Sequence, residues 1–286
     1  MERQITVTVD MTDAAGRHIL APVGLPTPYQ RPLELTVEGG RAGFVFDATG
    51  AQAAALIEPD GSGTVTLRYR AEDSAAGAYP DAMFRHQPNR FTRAADALVA
   101  DARALADRAP DGHAAIQAIV NDTAARFTYG HPAERFMDGH DAIPHLGCGV
   151  AEGSCVDINA YLIAALRAAG FEAGYVTGYF FPVEKGNWCE DGHCWVVTRH
   201  EGVTLEWDIA HHLKMGTREI CCGLNPKPGH RIAMAHSMGL DFPALGITDI
   251  KILSEALFVD GAGGHDFAPV AIICDLAETE TKAIPA

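Results

Sequence analysis

The sequence predicts an α+β protein: an antiparallel β-sandwich over residues 1–85, then a segment of residues 86–286 in which helices pack on an antiparallel sheet. Three observations predict it. Apolar and polar residues alternate from residue 4 to about residue 72. After residue 89 the apolar spacing lengthens to that of helices, and beyond Gly170 alternation returns, with Glu201-Gly202 as a tight turn between two strand-like runs. An alternating pattern gives a strand one inward face, and a spacing of about 3.6 gives a helix one inward stripe.

In the first segment Ile5, Val7 and Val9 alternate with threonines, Leu33, Leu35 and Val37 run into Gly39-Gly40, and Val65, Leu67 and Tyr69 alternate with polar partners. The stretch 71–89 loses the pattern and contains Gly77, Pro80 and Pro88, which marks a junction. Helical spacing follows in residues 91–105 and again from Asp111 to Thr128 through Ile116, Ile119 and Val120. Residues 129–154 form a long irregular stretch of turn formers, a length that in compact domains often accompanies function. A third helix is expected from about Cys155 to Ala169, with Ile158, Leu162, Ala165 and Leu166 on one face and Gly170 as its stop.

Strands are then expected at Tyr175 to Phe181, His193 to Arg199 and Val203 to Asp208. A tight hairpin places the start of its first strand beside the end of its second, so His193 and Asp208 become neighbours. Further strand-like pieces run from Lys251 to Val259 and from Pro269 to Cys274, before a polar tail that is expected to be mobile.

At 286 residues, 48% hydrophobic and 21% charged, the chain can bury a sizeable core and is not a disordered protein. Its net charge of −15, with no cluster of Lys or Arg, argues against nucleic acid and anionic membranes as partners. The run Met1 to Val7 alternates like a strand and lacks the apolar core of a signal peptide, and no apolar run approaches the roughly 18–20 residues of a span. A cytoplasmic protein is expected, and its seven cysteines are expected to be reduced. The oligomeric state is left open, although an unpaired sandwich edge offers a surface for a dimer.

The chemistry concentrates at Gly153-Ser154-Cys155-Val156-Asp157, directly before the third helix. A thiol in that position meets the positive end of the helix dipole and unpaired backbone N–H groups, both of which favour the thiolate. A cysteine nucleophile also needs a base, a group that fixes the base's tautomer, and donors for an oxyanion. His193 and Asp208 fit the first two roles, and the backbone N–H of Cys155 fits one oxyanion donor. Spacing does not identify the second donor, for which Tyr129 is a candidate. Set against this, a free cysteine commonly serves as a small buried hydrophobe.

Asp157 is expected to supply charge to the first helical turn or to support a neighbouring loop, and Trp195 and Trp207 to belong to the core. His131, His140, His145 and Cys148 before the site, and His211, His212, Cys221 and Cys222 after it, match no recognised zinc spacing. No metal and no cofactor are expected. The histidines offer a lining for a cleft, and Cys189 or Cys194 could pair with Cys155 under oxidation.

Taken in order, these residues resemble the transglutaminase-like cysteine enzymes, above all the bacterial branch with an N-terminal β-domain. The resemblance rests on Gly153-Ser154-Cys155-Val156-Asp157, Leu166-Arg167-Ala168-Ala169-Gly170-Phe171, Val176-Thr177-Gly178-Tyr179, His193-Cys194-Trp195 and Glu206-Trp207-Asp208. Phe127-Thr128-Tyr129 looks like the aromatic pair that ends the family's preceding helix, and His230 to Phe242 looks like the closing segment of the bacterial branch. It covers residues 90–260 well and the β-domain more loosely. Two departures, Cys194 after the histidine and Ile209-Ala210-His211-His212 after the aspartate, bear on the neighbourhood of the site more than on its reaction class.

The resemblance implies a papain-like core with a Cys155, His193, Asp208 triad and acyl transfer through a thioester, on a peptide or small amide substrate. Hydrolysis is the expected outcome. The alternatives are transfer to an amine and a non-catalytic binding module on the same fold.

Overall fold

The alternation of the N-terminal third becomes two five-stranded antiparallel sheets stacked face to face. The computed structural model describes residues 1–85, 87–147, 149–223 and 226–275. In one sheet the order is Trp188–Cys189, Val270–Asp275, Glu2–Asp10, Thr64–Asp73, Gln30–Glu38; in the other it is His265–Phe267, Leu257–Val259, His18–Pro22, Ala53–Pro59, Gly40–Phe46. Ile5, Val7, Val9, Val65 and Leu67 from the first sheet share one core with Ile19, Ala21, Ala55 and Ile57 from the second, so the inward half of each alternation is buried against the other sheet.

The last strands return to this sandwich. Val270–Asp275 pairs with Glu2–Asp10 from Val9↔Val270 to Gln4↔Asp275, and Leu257–Val259 pairs with His18–Pro22. A boundary at residue 85 therefore cuts across the strand pairing, because both sheets recruit strands from residues 188–275. These strands carry their own alternation, but nothing in it specifies a partner hundreds of residues away. The polar tail, residues 276–286, lies outside the described residues. No helix among the described residues is long and apolar enough to cross a membrane.

The second core lies between three helices, Asp96–Arg108, Gly112–Ala125 and Cys155–Ala168, and a four-stranded antiparallel sheet ordered Val203–Trp207, Gly192–His200, Glu172–Pro182, Gly229–His236. Ile158, Tyr161, Leu162 and Leu166 of the third helix are fully buried there with Tyr175, Val196 and Trp207. The mixed architecture agrees with the α+β expectation. The aromatic pair Phe127 and Tyr129 does not end a helix, however: Gly112–Ala125 stops first, and Phe127–Tyr129 is a short strand parallel to Ala151–Gly153. Its three residues are too few to show a period.

Gly178 shows how tightly the central strand is fitted. It pairs with His193 on one side and Ala233 on the other, and a Cβ there would lie 1.9 Å from the carbonyl oxygen of Ile232. Gly178→Ala should destabilise the fold by about 1–3 kcal/mol, the range for forcing extra atoms into a packed core. In denaturant unfolding, Gly43→Ala is the control, because a Cβ at Gly43 meets nothing within 4 Å. Equal midpoints for the two variants would refute the assignment of close approach at Gly178.

Candidate active site

Ser154 and Asp157 fix where the third helix begins. The backbone N–H and the hydroxyl of Ser154 both donate to Asp157 Oδ2, at 2.9 and 2.7 Å, so the carboxylate folds back over the helix start. Cys155 is thereby the first helical residue, where backbone N–H groups have no intrahelical acceptor. Its thiol is 8% exposed and lies in a cleft with Tyr129, Phe180, Asp191, His193, His211 and Lys214. The parallel pairing of Tyr129 with Gly153 brings Tyr129 to the side of Cys155.

The hairpin delivers the other two residues, with one refinement. Its pairing runs from His200↔Val203 to Val196↔Trp207 around Glu201 and Gly202, both at positive φ. Asp208 has already left the strand and caps the next helix, Ile209–Lys214, where Oδ1 accepts the N–H of His211 at 3.0 Å. That turn aims Oδ2 at His193, whose Nε2–H donates to it at 2.8 Å. With Nε2 so engaged, Nδ1 is the ring nitrogen left for proton exchange in the cleft.

Two residues that the sequence did not assign to the site converge on the same oxygen. Arg231, from strand Gly229–His236, donates to Asp208 Oδ2 at 2.5 Å, and His211 Nδ1 lies 2.9 Å from it. The His211 ring stacks on His193 with centroids 4.0 Å apart and planes 8° from parallel. Two like charges at that distance repel, so the stacking disfavours a positive charge on both rings together. His211 carried a signal as part of the histidine surplus, and Arg231 stood in the closing segment, but neither has a spacing that announces a contact with Asp208.

The electrostatics follow from these neighbours. Burial opposes a charge on Asp208, yet the His193 imidazolium and Arg231 outweigh it and hold the carboxyl well below the usual range. Burial likewise opposes a charge on His193, and the Asp208 carboxylate outweighs it, pushing the imidazole up to about 9. The Cys155 thiol is held well below its ordinary value, first by a hydrogen bond from the Cys194 thiol and then, against burial, by His193. Burial pushes Cys194 itself well up, so of the two adjacent thiols only Cys155 is set to ionise. The thiolate and imidazolium form one pair of opposite charges, and Asp208 and Arg231 form another.

His193 and Asp208 are thus brought into direct contact, and Cys155 shares their cleft. The Tyr129 hydroxyl is 3.1 Å from His131 Nε2, and its ring lies under Lys214 Nζ at 4.3 Å. Burial, with the nearby Cys155, raises its pKa, so it remains a hydroxyl able to donate. The remaining histidines scatter: His145 is 3.3 Å from Asp101, and His212 Nδ1–H donates to the Asp208 carbonyl at 2.7 Å while its Nε2 accepts the Cys221 N–H at 3.2 Å. Cys148 lies outside the described residues, and the six described cysteines are free thiols.

Among the described residues one set, His193, Asp208 and His211, has ligand atoms within 4.8 Å of one another, as a metal ion requires. The donor set does not fit one. Both ring nitrogens point at the carboxylate oxygen that Arg231 also occupies, so a divalent cation would displace two hydrogen bonds and sit against a guanidinium.

No curated protein matches the sequence. A candidate cysteine protease from Cytophaga hutchinsonii has the same fold, with a TM-score of 0.59 over 98% of this chain and 92% of that one, at 13% identity. Two structures of the periplasmic domain of TgpA from Pseudomonas aeruginosa, one bound to ethylmercury, align at TM-scores of 0.39 and 0.37. They are each 17% identical, over 70% and 75% of this chain and 73% and 80% of theirs. The model of the transglutaminase-like superfamily matches residues 100–207, a span that holds Cys155 and His193 and ends one residue before Asp208. Over residues 100–207 this chain is similar to the transglutaminase-like superfamily, and in fold to the Cytophaga hutchinsonii structure.

Proposed function

We propose that this protein is a cysteine-dependent acyl-transfer enzyme that cleaves an amide, in a peptide or a small molecule, through a thioester on Cys155, with water as the acceptor. The observation that carries the reading is the His193 imidazole, fixed by Asp208 at 2.8 Å and lining one cleft with a thiol at a helix start.

The Cys155 thiolate adds to the amide carbonyl, and the resulting oxyanion is met by the backbone N–H of Cys155 at the helix start. The tetrahedral adduct collapses as the His193 imidazolium gives its proton to the departing amine. The imidazole, now neutral, takes a proton from water as the water attacks the thioester. The second adduct releases the carboxylic acid, and the thiolate and imidazolium are restored. Asp208 keeps the ring in one tautomer throughout and gains no proton. Water is favoured as the acceptor because a transferase must also exclude it and bind an amine.

The acceptor is tested by mass spectrometry of products from an activated acyl substrate, with and without a primary amine at millimolar concentration. Acid as the main product in both supports hydrolysis, and amide outcompeting acid overturns it. A second test separates this enzyme from a binding module of the same fold. The depressed Cys155 thiol predicts that iodoacetamide labels it well below pH 7. The ion pair is lost only as His193 titrates at about 9. Labelling that instead follows an ordinary thiol near about pH 8.5 would favour the binding module.

A further inference from the structure

The charges around the Cys155 cleft are not all matched. Of the lysines that line it, Lys185 is paired with Glu190 at 3.0 Å and Lys227 with Glu184 at 2.6 Å. Two further charged residues line the cleft, and among the described residues neither has an ion-pair partner. One is Asp191, directly before Gly192 and His193; the other is Lys214, the last residue of helix Ile209–Lys214. Both are exposed, so a bound molecule can reach them. Lys214 Nζ sits 4.3 Å from the centroid of the Tyr129 ring, a contact that steadies the ammonium without cancelling its charge.

Both charges are felt at the nucleophile. The Asp191 carboxyl is held above its usual range, first because the cleft walls exclude water from it and then because of the negative charge on Cys155. Lys214 acts in the opposite sense and, after Cys194 and His193, helps to hold the Cys155 thiol low. A lysine here is explained by the thiolate alone. A carboxylate is not, since it works against the ionised thiol that the chemistry needs, and a cation brought in by the substrate removes that conflict. The cleft is also small, at about 110 Å³, well below the roughly 300–1,000 Å³ of pockets for drug-sized ligands. Free ammonium and carboxylate groups occur together on compact molecules and at the ends of peptides.

We propose that the substrate is a small zwitterionic amide, as a dipeptide is, with its ammonium received by Asp191 and its carboxylate by Lys214. The two residues set specificity and take no part in bond making. That the amide of this molecule is cleaved rests on the acyl-transfer reading, and the recognition of its two charges does not.

Calorimetric titration of Cys155→Ala, which lacks the thiolate, reads recognition apart from chemistry and apart from the effect of Lys214 on the thiol. The probes are alanyl-alanine, its N-acetyl form and its C-terminal amide. Saturable binding of alanyl-alanine is expected, weakened at least about tenfold by either block. Adding Asp191→Asn should make binding indifferent to acetylation and keep the effect of amidation, and adding Lys214→Met should do the reverse. An absence of saturable heat, equal binding of the three probes, or a uniform loss across them in both variants would overturn the proposal. In the wild type, alanine should be released from alanyl-alanine faster than from either blocked form. Binding with this charge pattern but no release would refute the acyl-transfer reading and leave the recognition standing. Release without a charge preference would do the opposite.

Discussion

Cys155→Ala should lose amide cleavage by roughly a million-fold, falling to the rate that substrate binding and backbone donors alone sustain. The loss is that large because no neighbouring group can replace the thiolate. Cys194 is the nearest thiol, yet burial raises its pKa well above the ordinary thiol value, and its sulfur accepts from Asn159 at 3.5 Å. The fold should survive, since the substitution removes one atom from a site at a cleft and leaves the Ser154–Asp157 cap intact. Single-turnover acylation with an activated ester, beside circular dichroism and an unfolding curve, measures both. Cys194→Ser serves as the companion variant and should keep most of the activity. Turnover that persists in Cys155→Ala and vanishes in Cys194→Ser would move the nucleophile to the other thiol and sink the mechanism.

How far the sequence reaches can be judged from particular residues. The places of Cys155, His193 and Asp208 in the fold were legible because each depends on local signals: the start of an apolar stripe, a strand start, and a two-residue turn that folds the second strand back on the first. The helix bounds were legible for the same reason, with Gly170 at φ +90 just past the end of Cys155–Ala168. Arg231 was not. Its guanidinium reaches Asp208 only because strand Gly229–His236 lies on the far side of Glu172–Pro182, and sheet order across a crossover has no periodic signature. The stacking of His211 on His193 needed the exact exit angle of Asp208, which the cap at the head of Ile209–Lys214 sets. The return of Val270–Asp275 to the first strand was hidden for a similar reason: alternation reports which face of a strand is buried and is silent on which edge it joins.

Asp208→Ala should combine a loss of activity with a loss of stability. The side chain is fully buried, and Oδ2 alone serves His193, His211 and Arg231, so truncation strips three donors of their shared acceptor at once. Arg231, 14% exposed, is left as an uncompensated charge, a situation that costs about 3–5 kcal/mol. Turnover should fall about 10⁴-fold, because the imidazole loses the partner that fixes its tautomer. Asp208→Asn separates the two effects: it keeps the shape and one acceptor oxygen but not the charge, should recover only the part of the stability that packing and one hydrogen bond supply, and should recover little of the turnover.

The pH dependence of stability supplies a third readout, with a definite sign. The folded imidazole is raised from 6.5 to about 9, so its pairing with Asp208 contributes stability that is complete below about 6.5 and is lost as pH rises through 9. The folded carboxyl is depressed below 3.8, so its own contribution is present above that value and is lost as pH falls toward the folded pKa. Urea midpoints of the wild type should therefore decline between near-neutral pH and about 9, and again in acid, whereas both declines should flatten in Asp208→Asn. Parallel curves for the two proteins, together with unimpaired turnover in Asp208→Asn, would show that the carboxylate neither holds the imidazolium nor orients it, and His193 would need another partner.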